Sequence, residues 1–334
     1  MTRSPLFTLL ISIMLISALH SCDISGKQEA GNNEITIYRY DKLQSEFIEF
    51  NSFNAFQKMT TEYIDATKLL TENILGLGDV RDPMMGIKLR NYFCTDSILT
   101  RINKDAEDKF SDMSAYENDF GKAFGKLSKE IDGIRIPYIY TQLSGLNESI
   151  VIGDSIIGIS LDKYMGSDYK LYKRFYYSYQ RKYMSPERIA YDCMFYYLTN
   201  QYPFNTDQAH NLIEIMIYYG INNYAVSKLL DYDEQKIMGY SDEEMKWCKD
   251  NEKEIWKYMV SNNHLHSTDL MLIRKYLGNA PFTAFFGNES PAKVGTWLGL
   301  RIVKSYVKKH KAGIKQLLET KDYNEILIKS GYES

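Results

Sequence analysis

The sequence lacks the short motifs that mark common enzyme classes. It contains no GxSxG, no phosphate-binding P-loop, no GxGxxG and no HExxH, so none of the corresponding active sites has a local signature. Only four cysteines are present and none forms a CxxC pair, which argues against a structural zinc site. We therefore expect no catalytic residue, no bound metal and no cofactor.

An excess of charge of either sign is also missing. The formal net charge is −3 and charged residues make up 25% of the chain, so nothing favours a nucleic-acid partner. The basic stretches 163–182 and 301–315 alternate with apolar residues, and we interpret them as solvated helix faces. No apolar run of 18 or more residues exists, so we expect the folded part to lie outside the bilayer.

The N-terminus has the pattern of a bacterial export signal. Arg3 precedes an apolar segment at residues 6–19, which is too short to span a membrane and has the length of a signal-peptide core. Ser21 and Cys22 follow and resemble a lipobox, although His20 replaces the usual small residue. We predict a signal peptide at residues 1–21, cleavage before Cys22 and attachment of lipid, including palmitate, to its thiol. An ordinary secretory signal that ends by chance at a cysteine is the alternative.

The remaining chain predicts a flexible tether at residues 22–34 and one α+β domain at residues 35–334. A strand is expected near residues 35–40, and two strands that form a hairpin are expected in residues 150–161 around Gly153 and Asp154. Apolar spacing and capping signals predict helices for most of the rest, at residues 53–75, 83–102, 104–131, 185–200, 206–230, 241–260, 267 onwards, 290–310 and 312–331. The expected architecture is mainly helical, with a small mixed or antiparallel sheet.

Several segments resemble the gliding-motility lipoprotein family GldB of the Bacteroidetes. They are residues 38–41, 159–166, 238–247, 254–258 and, most specifically, 288–303. The resemblance covers nearly the whole mature chain. It implies a membrane-anchored cell-envelope protein associated with gliding and secretion, with partners among envelope or secretion-system proteins. Of the two membranes, we expect the outer one. Family members also occur in species that do not glide, so motility does not follow for this chain.

The same order of elements resembles zincin-type peptidases, in which a helix after a small sheet carries HExxH. Two histidines at i and i+4 bind zinc there and the glutamate acts as base. The corresponding helix has Tyr191 and Phe195 at the two ligand positions and Asp192 at the position of the base. The next helix offers Glu214, or a group near Tyr219, as a further carboxylate position. These residues define a candidate cleft that is a degenerate zincin site.

Other polar or reactive residues have simpler interpretations. Asp162 follows the hairpin and is expected to cap a helix, with a polar contact at the mouth of the cleft as the alternative. His264 and His266 fall in a loop, and we expect solvation rather than metal binding. The three cysteines after Cys22 lie in apolar helical contexts, where a thiol is buried and unreactive.

Two glycines four residues apart, Gly295 and Gly299, fall inside a predicted helix. Each costs about 1 kcal/mol relative to alanine. We therefore expect another backbone to pack closely against them, with a groove for a ligand or peptide as the alternative.

Two functions follow for testing. The first is a non-catalytic, lipid-anchored envelope protein that acts by binding other proteins. The second is a degenerate or active zincin-like metallopeptidase. In a variant of the first function, a cleft lined by Tyr191 and Phe195 binds an extended peptide beside residues 150–161.

Overall fold

A computed structural model describes residues 34–205 and 210–333 of the chain. The predicted signal peptide, the lipidation site Cys22 and most of the tether lie outside these residues. The first half contains one short strand and then six helices before the rest of the sheet. In order, these are β1 Ile37–Tyr38, α1 Tyr40–Phe50, α2 Phe53–Thr61, α3 Ile64–Lys68, α4 Met85–Cys94, α5 Ser97–Lys109 and α6 Ser114–Glu130. A π-helix at Leu69–Ile74 continues directly from α3.

The sheet is mixed and small, and helices follow it to the C-terminus. Its other strands are β2 Tyr138–Gln142, β3 Ile150–Ile152 and β4 Ile156–Ser160, and 3₁₀ turns follow at Leu161–Lys163, Lys170–Arg174 and Pro186–Arg188. The later helices are α7 Ser178–Arg181, α8 Ile189–Gln201, α9 Leu212–Leu230, α10 Glu234–Met238, α11 Asp242–Ser261, α12 Leu270–Leu277, α13 Val294–His310, α14 Ile314–Leu318 and α15 Tyr323–Ser330. The α+β expectation is confirmed.

The strand order is β1-β2-β4-β3, with β1, β2 and β4 parallel and β3 antiparallel to β4. The predicted hairpin is therefore confirmed, and β3 is an edge strand. In the ladder, Ser160 donates its backbone N–H to Ser149, and Gly153 donates to Ile156. Antiparallel pairs alternate, so the backbone groups of Ile150 and Ile152 face away from β4.

Helix α9 is the centre of the second half because it is apolar on every side, as a helix enclosed by others must be. Helix α13 crosses it at very close range. A Cβ on Gly299 would lie 1.9 Å from the carbonyl oxygen of Met216, and one on Gly220 would lie 2.3 Å from that of Gly299. The expected close backbone approach is confirmed at Gly299. Gly295 faces the end of α12, where its Cβ would lie 2.8 Å from the Leu277 side chain and 3.3 Å from the carbonyl oxygen of Tyr276.

Several predicted helix bounds were wrong. The expected strand at residues 35–40 has only two paired residues, because Tyr40 already begins α1. The single helices expected at 53–75 and 312–331 are each divided into shorter helices. In place of the two helices expected at 83–102 and 104–131, the structure has three. Serine at 290 does not begin the long helix, because its hydroxyl bonds to Thr283 and Gly287 in a loop and α13 begins at Val294.

The stretch 163–182 was interpreted wrongly as a solvated helix face. It consists mainly of short 3₁₀ and α turns, and Lys163 is buried. Within the described ranges, no helix is both long and apolar enough to pass through a bilayer.

Candidate functional site

Helix α8 supplies one wall of the candidate cleft. The helix expected at residues 185–200 is present, but a 3₁₀ turn at Pro186–Arg188 precedes it and Ser185 makes no side-chain capping bond. Helix α8 then packs against β3 and β4. Because Tyr191 and Phe195 are four residues apart, they project from the same side of this helix.

Three aromatic rings form a stacked row between α8 and α9. The ring centroids of Tyr191 and Phe195 are 5.5 Å apart with 17° between their planes. Those of Phe195 and Tyr219 are 6.1 Å apart with 24° between their planes. The hydroxyl of Tyr191 donates to the side-chain oxygen of Asn223 at 2.6 Å, and Asn223 is itself fixed by a bond to the Tyr219 carbonyl. These contacts hold Tyr191 and Phe195 in one arrangement.

The cleft beside this row has a volume of about 410 Å³. It lies between α8, α9, the start of β3 and the start of α13. Its aromatic lining consists of Tyr176, Tyr183, Tyr191, Phe195, Tyr196 and Tyr219, and its polar or charged lining includes Ser149, Lys163, Arg188, Asp192, Asn223, Asn279, Lys293 and Thr296. A cavity in which aromatic side chains and polar or charged groups converge is a candidate ligand site.

Asp192 is the acidic group of the cleft. One of its oxygens accepts a hydrogen bond from the Tyr164 hydroxyl at 2.8 Å, and the other lies 3.5 Å from a terminal nitrogen of Arg188. Burial raises the pKa of Asp192, while the Arg188 charge and the Tyr164 donor oppose that rise. The Asp192 carboxylate therefore contacts Tyr164 and Arg188, its neighbours on the same wall.

Two cations, Arg188 and Lys293, meet at this wall. The guanidinium of Arg188 lies 3.8 Å from the ring centroid of Tyr191 and donates to the carbonyls of Lys236 and Ile237, each at 3.0 Å. The Nζ atom of Lys293 lies 4.3 Å from the ring centroid of Tyr183. Burial, with Arg188 nearby, lowers the pKa of Lys293 to about 8.

Glu214 does not lie at the cleft. Its side chain completes the capping box at the start of α9, accepting from the backbone of Asn211, and contacts His210 at 3.1 Å and Asn324 at 3.2 Å. The expectation that it supplies a cleft carboxylate was wrong, because the first turn of α9 faces the C-terminal helix rather than α8. Tyr219, five residues further along α9, does line the cleft.

Asp162 has a different role from both of those expected. It is fully buried in a 3₁₀ turn and accepts from the backbone N–H groups of Ser144 at 2.9 Å and Leu146 at 2.6 Å. It therefore fixes the loop after β2. It does not cap the turn that contains it, and its neighbour Lys163 lines the cleft instead. The Nζ atom of Lys163 bonds to the carbonyl of Leu146 at 3.1 Å and to the hydroxyl of Tyr176 at 3.0 Å.

The remaining candidates have structural partners. His264 bonds to the hydroxyl of Tyr276 at 2.8 Å. Within residues 34–205 and 210–333, no group of three or more His, Cys, Asp or Glu side chains is placed to hold a metal ion. Cys193 is buried, and burial raises its pKa well above the usual value. Cys94 is exposed, so the expectation that all three later cysteines are buried was wrong for this one.

A second cavity is larger, at about 1140 Å³, and lies around the hairpin turn and residues 131–137. Its charged lining residues are all exposed: Glu62, Asp65, Asp132, Arg135 and Asp154. The smaller cleft, by contrast, has buried charges converging on it. For this reason we regard the smaller cleft as the candidate site.

Sequence reasoning brought Tyr191, Asp192, Phe195 and Tyr219 together correctly but missed the cations. A signal existed for Arg188, because it precedes Tyr191 by three residues and so shares its helix face. No local signal placed Lys293 there, since it is more than one hundred residues away in the chain.

One comparison with known proteins identifies a family. Residues 24–334 match the family described as gliding motility protein GldB. No curated protein and no solved structure shows significant similarity to the chain. Since the match covers nearly the whole chain, the chain belongs to this family.

Proposed function

We propose that this member of the GldB family is a lipid-anchored envelope protein that binds another polypeptide in the cleft of α8 and α9 and catalyses no reaction. The family match supports association with gliding motility and the envelope. The observation that carries the proposal is the stacked row of Tyr191, Phe195 and Tyr219. Its first two members are at the positions where a zincin-like arrangement would need imidazole ligands.

The row is suited to recognition rather than to metal chemistry. Phe195 has no donor atom, and the only polar atom of the Tyr191 side chain is bonded to Asn223. Aromatic side chains, by contrast, are enriched at protein interfaces because they offer large, rigid contact area. Six of the residues that line this cleft are aromatic.

The neighbouring sheet edge offers a place for an extended peptide. The backbone groups of Ile150 and Ile152 face away from β4, and Ser149 at the start of β3 lines the cleft. A peptide strand that pairs with β3 would gain main-chain hydrogen bonds there. Its end would reach the aromatic row, which would select particular side chains.

The proposal of a lipid anchor rests on the sequence. Lipid on Cys22 would hold the domain to a membrane, which we propose is the outer membrane, through the polar tether at residues 22–34. A flexible chain of this length spans about 20 Å on average. The domain would thus stay within reach of other envelope or secretion-system proteins.

Partner capture tests the proposal. The lipidated protein, isolated with its membrane, should recover one or more envelope proteins. Asn279 is exposed and lines the cleft, so Asn279→Trp blocks the cleft without disturbing the core. Asn54, exposed on α2, provides the matched control Asn54→Trp. We expect N54W to match the unmodified protein and N279W to recover at least fivefold less partner. Equal recovery by N279W, or no envelope partner at all, contradicts the proposal.

The zincin-like peptidase is the second candidate. The feature that favours it is the packing of α8 against the small sheet that precedes it, in the order of elements on which the resemblance rests. It predicts zinc bound to the purified protein. A metal content below about 0.1 equivalent would reject this candidate, because a protein-only zinc site survives purification. Stoichiometric zinc together with peptide cleavage would instead overturn the non-catalytic proposal.

A further inference from the structure

The cleft holds more positive than negative charge. Arg188, Lys293 and Lys163 line it, and Asp192 is the only acidic side chain among its lining residues. Arg188 is buried and Lys293 is largely enclosed. Buried charge without a full set of opposite charges is unfavourable. An anion that enters the cleft would relieve this imbalance.

Burial lowers the pKa of Arg188, but Asp192 and the neighbouring tyrosines raise it overall, so the guanidinium keeps its charge, with Asp192 as its one anionic contact in the part of the chain that the structure describes. One terminal nitrogen donates to two main-chain carbonyls, which fixes the guanidinium in place. The other lies 3.5 Å from Asp192, which is a long contact for an ion pair. Its Nε atom is buried and has no partner among the described residues. The group is therefore rigid and still able to attract an anion.

Lys293 is held at the cleft by an unusual backbone conformation. Its φ of 60° is in the left-handed region, which is unfavourable for a residue with a Cβ atom. Within the described part of the chain its Nζ has no hydrogen-bond acceptor, only the face of Tyr183. It immediately precedes α13, and Thr296 in the first turn of that helix also lines the cleft. The positive end of the helix dipole adds to the attraction for an anion.

The surroundings indicate what carries the anion. The aromatic walls favour an apolar group beside the charge, and a volume of about 410 Å³ admits only a small part of a larger partner. Ser149 connects the cleft to the free edge of β3, where a peptide strand fits. We propose that a polypeptide lies along β3 and that Arg188 and Lys293 bind its C-terminal carboxylate. The last residue of this polypeptide is apolar or aromatic. This inference rests on the proposed function and names its ligand.

Peptide binding to the whole mature domain tests the inference. The probe is Thr-Val-Thr-Phe with a free C-terminal carboxylate, and its N-terminal amine carries the fluorophore used for anisotropy. The same labelled peptide as a C-terminal amide removes the charge, and labelled Thr-Glu-Thr-Phe amide moves it to a side chain. We expect the free acid to bind at least tenfold more tightly than either amide. Equal binding of the first two peptides, or no binding at millimolar concentration, overturns the inference.

Variants of two lysines in the same conformation locate the site. Lys293→Met removes the cleft charge, and we expect it to weaken binding of the free acid at least tenfold while the amide is unaffected. Lys311 also has a left-handed backbone, φ 55°, but is exposed at the far end of α13. Lys311→Met should bind like the unmodified protein. Equal effects of the two substitutions would contradict the assignment.

Two other results separate this inference from the proposed function. Displacement of the free acid by equimolar inorganic phosphate would show an unselective anion site and contradict recognition of a C-terminus. If the free acid and the amide bind equally, the carboxylate inference is wrong but polypeptide binding stands. Partner capture by the lipidated protein, with N279W as its comparison, tests the broader proposal independently of any charge on the peptide.

Discussion

Lys293 combines two unfavourable features at one position. Its backbone is in the left-handed region, which costs a residue other than glycine roughly 1–2 kcal/mol. Its ammonium group lies against the ring of Tyr183 and beside the charge of Arg188, in a cleft where burial lowers its pKa. Costs of this kind concentrate at functional sites, where a binding geometry is kept at the expense of stability. Removing the Lys293 side chain should therefore weaken binding and increase the stability of the fold.

We predict that Lys293→Met makes the domain more stable at neutral pH. The pKa of Lys293 is about 8 in the folded protein and about 10.5 in an unfolded chain. Below pH 8 the folded protein must keep a charge that burial disfavours, so removing it should raise the free energy of unfolding by about 1–3 kcal/mol. Between these two pKa values the unfolded chain binds more protons than the folded one, so the unmodified protein gains stability as pH rises.

Chemical denaturation of both proteins from pH 7 to pH 10.5 measures this effect. The advantage of the variant should be largest at pH 7 and shrink steadily above pH 8. The groups that face Lys293 are Arg188, Asp192, Lys182 and the ring of Tyr183. Lys311→Met, in which an exposed charge is lost, should show little change. A variant that is less stable than the unmodified protein at pH 7 would refute the prediction.

Among the secondary-structure elements, the contact between α9 and α13 depends most on glycine. The two helices approach until main-chain atoms touch, and a Cβ on Gly299 would overlap the carbonyl of Met216. Since the atoms that the added Cβ would meet belong to the main chain, no side chain can rotate to make room. The start of α13 carries Lys293 and Thr296, so this crossing also positions one wall of the cleft.

We predict that Gly299→Ala destabilises the domain by about 1–3 kcal/mol, as overpacking of a core does. That loss should exceed the gain of about 1 kcal/mol that alanine brings to a helix. Gly86 is the matched control, because it is also helical but its Cβ would lie 3.4 Å from the rings of Phe47 and Phe56. Thermal unfolding should show Gly86→Ala near or above the unmodified protein. Equal unfolding temperatures for the two variants would contradict the prediction.

The sequence predicted which segments are helical better than it predicted where helices end. Apolar spacing continues across the breaks before α5 and α15, so the periodicity alone shows no interruption. The breaks are made by single polar residues: Asp96 accepts from the backbone of Ile98 at 2.7 Å, and Asp322 accepts from that of Glu325 at 2.9 Å. Aspartate is common in helices and in turns, so its presence alone does not mark a helix start. Only the structure shows which of them act.

At the scale of the whole molecule, prediction of the site was limited by distance along the chain. Tyr191 and Phe195 share a helix face through their spacing. Tyr219 was reached only through the zincin-like order of elements, which also pointed wrongly to Glu214. Arg188 is one helical turn from Tyr191 and could have been found in the same way. Lys293 reaches the cleft only because α13 crosses α9, and that crossing depends on how the whole second half packs.

The proposed anchor makes the last prediction. Acyl chains attached to Cys22 would bind the membrane with about 0.8 kcal/mol for each buried CH₂ group. Cys22→Ser removes the only thiol that follows the export signal directly, so we expect the variant to incorporate no palmitate when cells are fed a labelled analogue. The unmodified protein should incorporate it and remain with the membrane fraction.

Lipid incorporation is a better measurement here than fractionation alone. An uncut precursor would keep the apolar segment at residues 6–19 and would stay with membranes for that reason. Cys94 is the control because its thiol is exposed, so Cys94→Ser should leave labelling unchanged. Labelling of the Cys22→Ser variant at the level of the unmodified protein would show that the lipid is elsewhere or absent. The tether at residues 22–34 would then lose its role as the link between the membrane and the cleft.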